Sequence, residues 1–265
     1  MNYINILIAF GVLGALGLIF GLLLGFASRF FAPDKDDGID AVLAALPGAN
    51  CGACGFTGCK KYAAAIVKDG ADISLCPVGG NKAASALATI TGREAKKVPR
   101  LRAAVSCSGG MRAKRKYEYQ GIKDCVAASK LGGGDLACQY GCLGLGSCVK
   151  VCEFDAIRLE NGVAKVNHEK CTACGKCVAI CPKQLISLVP LEATALVACS
   201  SLEKGSFTKD KCSIGCIGCK ICVNVCKQKA ITVENNKAEI NQELCNHCGE
   251  CIAKCPRKII RNIDV

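Results

Sequence analysis

The sequence has no tryptophan, and aromatic residues make up only 5% of its 265 residues. Single-stranded nucleic acids bind on platforms of stacked aromatic side chains, so this chain is a poor candidate for that function. It also contains no glycine fingerprint for dinucleotides, no phosphate-binding P-loop and no arrangement resembling a hydrolytic triad. Nothing in the sequence therefore predicts a site that converts an organic substrate.

Cysteine, in contrast, is abundant, with 24 residues in the chain. In a small secreted protein this content would indicate disulfides, but the spacing argues for metal ligands. Eight cysteines recur at an offset of 74 residues. Cys138, Cys142, Cys148, Cys152, Cys171, Cys174, Cys177 and Cys181 correspond to Cys212, Cys216, Cys222, Cys226, Cys245, Cys248, Cys251 and Cys255. Between 152–181 and 226–255, 14 of 30 positions are identical, which indicates an internal duplication.

The spacing within each copy is that of two-cluster ferredoxins, in which three cysteines hold one [4Fe-4S] cubane and a fourth reaches across to the other. The predicted ligand sets are Cys216, Cys219, Cys222 with Cys255; Cys245, Cys248, Cys251 with Cys226; and Cys171, Cys174, Cys177 with Cys152. In the fourth set Leu145 stands where the other copy has Cys219, and Cys138 is the available substitute. We therefore expect Cys138, Cys142, Cys148 and Cys181 to form it.

Two further groups of cysteines lie outside these sets. Cys51-x2-Cys54-x4-Cys59-x16-Cys76 forms a separate unit in a glycine-rich loop, where we expect one more cubane. Cys107, Cys125, Cys199 and Cys212 remain, and they could be core thiols or the full ligand complement of a sixth cluster, which we favour. Cys107 and Cys199 each close a short apolar run, which predicts a buried strand ending in a thiol. Zinc is the alternative metal, above all at Cys51–Cys76.

The N-terminus is strongly apolar. Every residue from 4 to 27 except Asn5 is apolar or glycine, and as a helix this stretch would measure roughly 36 Å against a hydrocarbon thickness of about 30 Å. A cleaved signal peptide is the competing interpretation, but no Lys or Arg precedes the run and it is too long for such a segment. We expect a single-pass helix in the cell membrane, with the iron–sulfur domains on the cytoplasmic side, where thiolates stay reduced.

The formal charge of +12 does not by itself predict an anionic partner. Six cubanes with four thiolates each would contribute about −12, so we expect no nucleic acid. Nine of the residues from 93 to 116 are Lys or Arg, opposed only by Glu94. This stretch is either a solvated basic face or a docking surface for an acidic redox carrier or anionic lipid.

The predicted fold class is α+β, with a single N-terminal transmembrane helix, a small iron–sulfur module and duplicated two-cluster ferredoxin folds. The expected segments are a transmembrane helix at 1–28, a linker at 29–40, a four-cysteine module at 41–92, a basic connecting region at 93–137, a first repeat at 138–190, a connecting segment at 191–211 and a second repeat at 212–265.

The N-terminal helix, the Cys-Gly-x-Cys-Gly-x-x-Gly-Cys motif at 51–59 with Cys76-Pro77, and the ferredoxin repeats together resemble the B subunit of the Rnf complex over almost the whole chain, in its longer, clostridial-type form. The resemblance implies a component of an ion-translocating ferredoxin:NAD+ oxidoreductase. Such a component would accept electrons from reduced ferredoxin and pass them to the membrane subunits. It would have no substrate-converting site of its own. The implied partners are ferredoxin, the other membrane and soluble Rnf subunits, and the membrane itself.

The direction of electron flow is a separate hypothesis. The second repeat would receive electrons, because seven cations could steer an acidic ferredoxin toward it: Lys211, Lys220, Lys227, Lys229, Lys254, Arg257 and Lys258. Electrons would leave through Cys51–Cys76, near the membrane anchor. Two alternatives remain open, a membrane-tethered polyferredoxin that serves another reductase or runs in reverse, and a redox-sensing or zinc-organised interaction module.

Overall fold

The computed structural model describes residues 3–30 and 37–263. The helices in these ranges are α1 Tyr3–Phe30, α2 Asp37–Ala45, α3 Cys59–Lys68, α4 Gly80–Thr91, α5 Cys125–Lys130, α6 Ser147–Lys150, α7 Lys176–Ile180, α8 Gly205–Lys211, α9 Ile221–Val225 and α10 Glu250–Lys254. The strands are β1 Leu101–Val105, β2 Ile157–Glu160, β3 Val163–Val166, β4 Ile186–Pro190, β5 Ala195–Val197, β6 Ile231–Glu234, β7 Lys237–Ile240 and β8 Ile260–Asn262.

The apolar N-terminus forms the long helix α1, as expected. Its 28 residues would measure roughly 42 Å at the rise of an α-helix. The window Phe10–Ala27 has a mean hydropathy of 2.3, and none of it is buried. By length and composition the helix could cross a membrane. Of the linker expected at 29–40, residues 31–36 lie outside the described residues, and α2 already begins at Asp37.

Helices α2, α3 and α4 form the N-terminal module around one apolar core. Apolar residues three and four apart on α3 face this core, which is why a ten-residue helix with three lysines is stable here. Tyr62 is fully buried, and its hydroxyl donates to the carbonyl of Asp72 at 2.7 Å and accepts from the N–H of Leu75 at 3.2 Å. Gly92 ends α4 in the left-handed conformation, as the sequence predicts.

Each repeat contains a tight two-residue hairpin. Strands β2 and β3 pair antiparallel around Asn161 and Gly162, and β6 and β7 pair around Asn235 and Asn236. All four turn residues have positive φ, which is the requirement of the hairpin turn whose twist matches the strands. The two hairpins begin 74 residues apart, at Ile157 and Ile231.

The two connecting regions supply strands to the repeats. Strand β1 lies in the region 93–137 and pairs antiparallel with β4 of the first repeat. Strand β5 lies in the segment 191–211 and pairs antiparallel with β8 of the second. Both strands are mostly buried and are followed by Cys107 and Cys199, so the prediction of a buried strand before each thiol is confirmed.

The basic stretch 93–116 makes internal contacts. The Arg93 guanidinium donates to the carbonyls of Ile66, Gly70 and Ala71 at 2.9–3.0 Å, which satisfies carbonyls at the end of α3. Lys96 bonds a carboxylate of the N-terminal module at 2.8 Å. Arg93 and Lys96 therefore join the connecting region to the module. Neither a solvated basic face nor a docking surface, the two interpretations of this stretch, predicts these contacts.

Candidate iron–sulfur sites

The N-terminal module brings four thiols together: Cys51, Cys54, Cys59 and Cys76. Cys59 is the first residue of α3, and its N–H donates to the Asn50 side chain at 2.9 Å. Cys76 is buried, and its Sγ accepts from the N–H of Gly79 at 3.3 Å. Burial raises the pKa of the Cys76 thiol, and the other three thiols raise it further. The four cysteines therefore share one electrostatic environment.

The second repeat contains both expected sets. Four cysteines line one cavity: Cys216, Cys219, Cys222 and Cys255. Burial raises the pKa of Cys222 to about 11, with further contributions from the other three thiols. Burial also raises the pKa of Cys251, and Cys245 and Cys248 raise it further. Cys226 packs against the same core.

The first repeat contains the equivalent of the set formed by Cys226, Cys245, Cys248 and Cys251. Burial raises the pKa of Cys177 to about 11, and Cys171, Cys174 and Cys152 raise it further. Backbone N–H groups reach two of these sulfurs at 3.4 Å, from Ala103 to Cys171 and from Ala156 to Cys152. The Ala103 contact shows that β1, from the connecting region, forms part of this site.

The fourth set differs from the sequence prediction. The structure places Cys125, not Cys138, in one cavity with Cys142, Cys148 and Cys181. Burial raises the pKa of Cys148 to about 12, and Cys142, Cys125 and Cys181 are the first thiols to raise it further. The set expected to contain Cys138 is corrected accordingly.

A small hydrogen-bond network holds Cys125 in this position. Asp124 caps α5 by accepting from the N–H of Ala127 at 2.8 Å. Its other carboxylate oxygen accepts from the Ser147 hydroxyl at 2.7 Å, and that hydroxyl accepts from the N–H of Cys125 at 2.7 Å. Ser147 is buried and immediately precedes Cys148. The network thereby fixes the first residue of α5 beside α6, and Cys125 replaces the thiol that Leu145 does not provide.

Cys138 lies instead in a middle set, between the two repeats: Cys107, Cys138, Cys199 and Cys212 line one cavity. The sulfurs of Cys107 and Cys212 both approach Gly109, where a Cβ would lie 3.7 and 3.4 Å from them. Burial raises the pKa of Cys138, and Cys107 and Cys212 raise it further. The remaining cysteines of the sequence prediction thus meet as predicted, except that Cys138 takes the place of Cys125.

The geometry of these sets fits a cubane better than a zinc ion. A zinc site needs its ligands about 2.0–2.3 Å from a single point. Within 3–30 and 37–263, no three Cys, His, Asp or Glu side chains converge closely enough to hold a single metal ion. Three of the sets instead surround a cavity between their thiols. A [4Fe-4S] cubane is a body rather than a point, and its four thiolates stand apart around it.

The two histidines differ in position. The sequence predicts both histidines on the surface, because each neighbouring cluster already has four thiolates. His247 is exposed and has a positive φ. His168 was also expected on the surface, but it is partly buried, and its Nε2 lies 2.8 Å from the carbonyl of Ile263. It therefore links the two repeats instead of facing solvent.

Comparisons with known proteins identify iron–sulfur domains in the same parts of the chain. A family model described as "4Fe-4S dicluster domain" matches residues 137–186, a second with the same description matches 215–259, and a third, described as "Putative Fe-S cluster", matches 46–78. The B subunit of the Na+-translocating ferredoxin:NAD+ oxidoreductase complex of Acetobacterium woodii is 47% identical over 96% of this chain and 77% of its own length.

Two further relatives match this chain over nearly all of its length and nearly all of their own. The B subunit of the ion-translocating oxidoreductase complex of Methanosarcina acetivorans is 41% identical over 94% of this chain and 95% of its own length. The corresponding subunit of the proton-translocating ferredoxin:NAD+ oxidoreductase complex of Clostridium ljungdahlii is 42% identical over 95% and 90%. The chain belongs to the family of Rnf B subunits. It is an iron–sulfur electron-transfer subunit that carries [4Fe-4S] clusters and associates with a membrane.

The sites of this Rnf-family chain lie next to one another in a series of contacts. The Cys51 thiol raises the pKa of Cys174, after burial, and Cys177 raises that of Cys148. The N–H of Cys142 donates to Cys107 Sγ at 3.4 Å. Each of these contacts joins a thiol of one set to a residue of the next.

Interactions of this kind also join the middle set to the sets of the second repeat. Burial raises the pKa of Cys199 to about 11, while the N–H of Cys216 donates to its thiol and lowers the pKa. Cys222 and Cys251 then belong to one apolar core that joins the last two sets. Within this Rnf-family chain, these interactions link the six sets in a series from the N-terminal module to the second repeat.

Proposed function

We propose that this chain takes electrons from reduced ferredoxin at its second repeat and delivers them, through the N-terminal module, to the membrane subunits of an ion-translocating ferredoxin:NAD+ oxidoreductase. The observation that carries the proposal is a difference between two equivalent cysteines, Cys174 and Cys248. Cys248 is exposed, whereas Cys174 is half-buried with the Cys51 thiol close to it. One end of the series is therefore open to a soluble donor, whereas the equivalent cysteine of the first repeat lies near a thiol of the module.

On this proposal the series has six sites, each formed by four cysteines. Four of them lie in the two duplicated two-cluster ferredoxin units, one is the middle set and one is the N-terminal module. When bound, a [4Fe-4S] cluster takes up and releases one electron. The protein contributes burial, N–H groups aimed at the sulfurs, and close spacing between successive sets. Cys107, Cys148 and Cys177 are all buried, so the interior of the series is shielded from water and from unspecific oxidants.

Charge supports the second repeat as the side that meets ferredoxin. Five exposed lysines surround it: Lys220, Lys227, Lys229, Lys254 and Lys258. The equivalent positions of the first repeat, 74 residues earlier, are Gly146, Glu153, Asp155, Ile180 and Gln184. Three of the seven cations expected at this surface have partners within the chain, and one of them, Lys227, is exposed but lies 3.5 Å from a Glu250 carboxylate oxygen. Lys211 pairs with Glu203, and Arg257 donates to the carbonyls of Cys212 and Gly215.

The membrane helix orients the other end of the series. The module follows α1 after a short segment, so its reach from the bilayer is limited. Assembly of the clusters requires reduced thiols, which supports a cytoplasmic position for residues 37–263. The other Rnf subunits are then the acceptors, and they would meet the module at the membrane surface.

Stopped-flow reduction of the full chain, purified anaerobically in detergent with its clusters, tests this polarity. We expect the triple variant Lys227→Glu, Lys229→Glu, Lys254→Glu to be reduced by ferredoxin at least about tenfold more slowly at low ionic strength, because steering by complementary charge is lost. Reduction by dithionite should not change. The matched control is Lys60→Glu, Lys61→Glu, Lys82→Glu in the module, which should keep the wild-type rate. A slow control and a normal triple variant would show that ferredoxin binds at the module instead.

A further inference from the structure

A polar groove runs between the two repeats on a side of the protein that none of the cysteine sets lines. It lies against β1 and β3 of the first repeat and β5 and β8 of the second, and it encloses about 1200 Å³, part of it open to solvent. Three cationic side chains line it: Arg158, Lys165 and Arg261. Its acidic side chains are Glu160 and Glu169.

The positive charge in this groove is not balanced. Arg158 bonds Glu160 at 2.5 Å, but Lys165 and Arg261 bond no carboxylate in the part of the chain that the structure describes. One Arg261 nitrogen donates to the carbonyl of Val105 at 3.4 Å, while its Nε is buried without a partner. Unpaired buried donors of this kind are costly and call for a ligand or an ordered water.

The electrostatic environment of Lys165 also favours a bound anion. Burial lowers the pKa of Lys165, and the nearby guanidinium of Arg261 lowers it further, with smaller contributions from Arg112 and Arg158. Glu160 opposes this shift without cancelling it. A cation held beside other cations gains most from a multiply charged anion.

The ferredoxin framework does not require these cations. At the offset of 74 residues, Arg158 and Lys165 correspond to Thr232 and Glu239, and Arg261 corresponds to Ser187. The hairpin β6–β7 forms with the same register as β2–β3 although it lacks both cations. The three cations are therefore a feature of the junction and not of the repeat.

We propose that the groove between the repeats is a binding site for an oxyanion of the phosphate class. Lys165 and Arg261 bond no carboxylate among the described residues, and they offer an ammonium and a guanidinium group to the several acceptor oxygens of a phosphate. The site is independent of the proposed direction of electron flow, because none of the cysteine ligands lines it.

Calorimetric titration of the anaerobically purified full chain with inorganic pyrophosphate tests the proposal, with inorganic phosphate and succinate as further probes. The cluster absorbance is followed throughout, so that iron extraction by the probe is detected. The variants are Lys165→Gln, whose side chain has no structural hydrogen bond among the described residues, and Lys165→Gln with Arg261→Gln. The control is Lys237→Gln, a β7 lysine that pairs with Glu239 outside the groove.

We expect saturable binding of pyrophosphate that weakens at least about tenfold in Lys165→Gln, since a hydrogen bond to a charged group is lost. Binding should weaken further in the double variant and stay unchanged in Lys237→Gln. Absence of saturable binding to the wild type, or equal binding by Lys165→Gln, overturns the site. Succinate binding as tightly as pyrophosphate overturns its assignment to phosphates.

Discussion

The backbone N–H of Cys142 donates to the Sγ of Cys107 at 3.4 Å. The N–H of Cys216 makes the equivalent contact with the thiol of Cys199, and Cys142 and Cys216 occupy the same place in the two repeats. The middle set therefore receives one such hydrogen bond from each repeat. Its other two cysteines, Cys138 and Cys212, are also equivalent to each other. The middle set thus combines equivalent contacts from both repeats and joins the two ferredoxin units into one series.

Paired substitutions should distinguish the observed cysteine sets from those expected from spacing. We expect Cys125→Ala with Cys148→Ala to lower the iron content by about four atoms, because both cysteines belong to one cubane site. Cys125→Ala with Cys138→Ala should lower it by about eight, since two sites are damaged. Iron and sulfide analysis of anaerobically purified protein measures both.

A third pair provides the decisive control. Cys138→Ala with Cys148→Ala should also lose about eight iron atoms. The set predicted from spacing requires this pair to lose only about four. A loss of about four here, together with about eight for Cys125 and Cys148, would contradict the structure.

The misplacement of Cys138 shows which signal the sequence contained. The repeat offset itself aligns Cys138 with Cys212, and Cys212 was already among the four unassigned cysteines. Because the two positions are equivalent, Cys138 and Cys212 belong in the same set. Spacing alone instead assigns Cys138 to the nearest set, because Leu145 leaves that set one thiol short. The repeat offset does not reveal the role of Cys125. That role depends on Asp124 and Ser147, and Ile221 replaces Ser147 in the other repeat.

Much of the local structure was accessible because it follows from short-range rules. The apolar run of α1, the strands before Cys107 and Cys199, and the end of α4 at Gly92 are all set by composition and nearby residues. The pairing of β1 with β4 was not predicted. It joins strands that lie far apart in the sequence, and no local pattern specifies a partner at that distance. For the same reason the contacts of Arg93 could not be inferred from a run of basic residues.

The Ser147→Ala variant tests the network that positions Cys125. It leaves the N–H of the buried Cys125 without its acceptor, which we expect to cost about 1–3 kcal/mol at this site. Because the cost is local, about four iron atoms should be released to a chelator earlier than the rest in a denaturant titration. Ser213→Ala, at an exposed hydroxyl, should behave like the wild type. Release of all iron in one unchanged transition would show that the network does not hold the site.

Removal of residues 1–28 tests the membrane anchor. No cysteine lies in this stretch, and the apolar window of α1 is exposed, so the truncated chain should be soluble without detergent and retain its full iron content. Sedimentation of membranes followed by iron analysis of both fractions measures the outcome. A truncated protein that stays with membranes stripped of other Rnf subunits would show a second membrane-binding surface.

The potential of the middle set should depend on Arg261. Its half-buried guanidinium lies close enough to Cys107 that the thiol raises the pKa of Arg261, against the larger lowering by burial. A fixed positive charge beside a cluster stabilises the added electron, so Arg261→Gln should make one reduction potential more negative, on the order of tens of millivolts. Redox titration followed by electron paramagnetic resonance measures this shift. The control, Arg158→Gln, removes a solvent-exposed cation of the same groove and should have a smaller effect because solvent screens it. A potential that stays constant in Arg261→Gln, or becomes more positive, would exclude this cation as a determinant of the middle set.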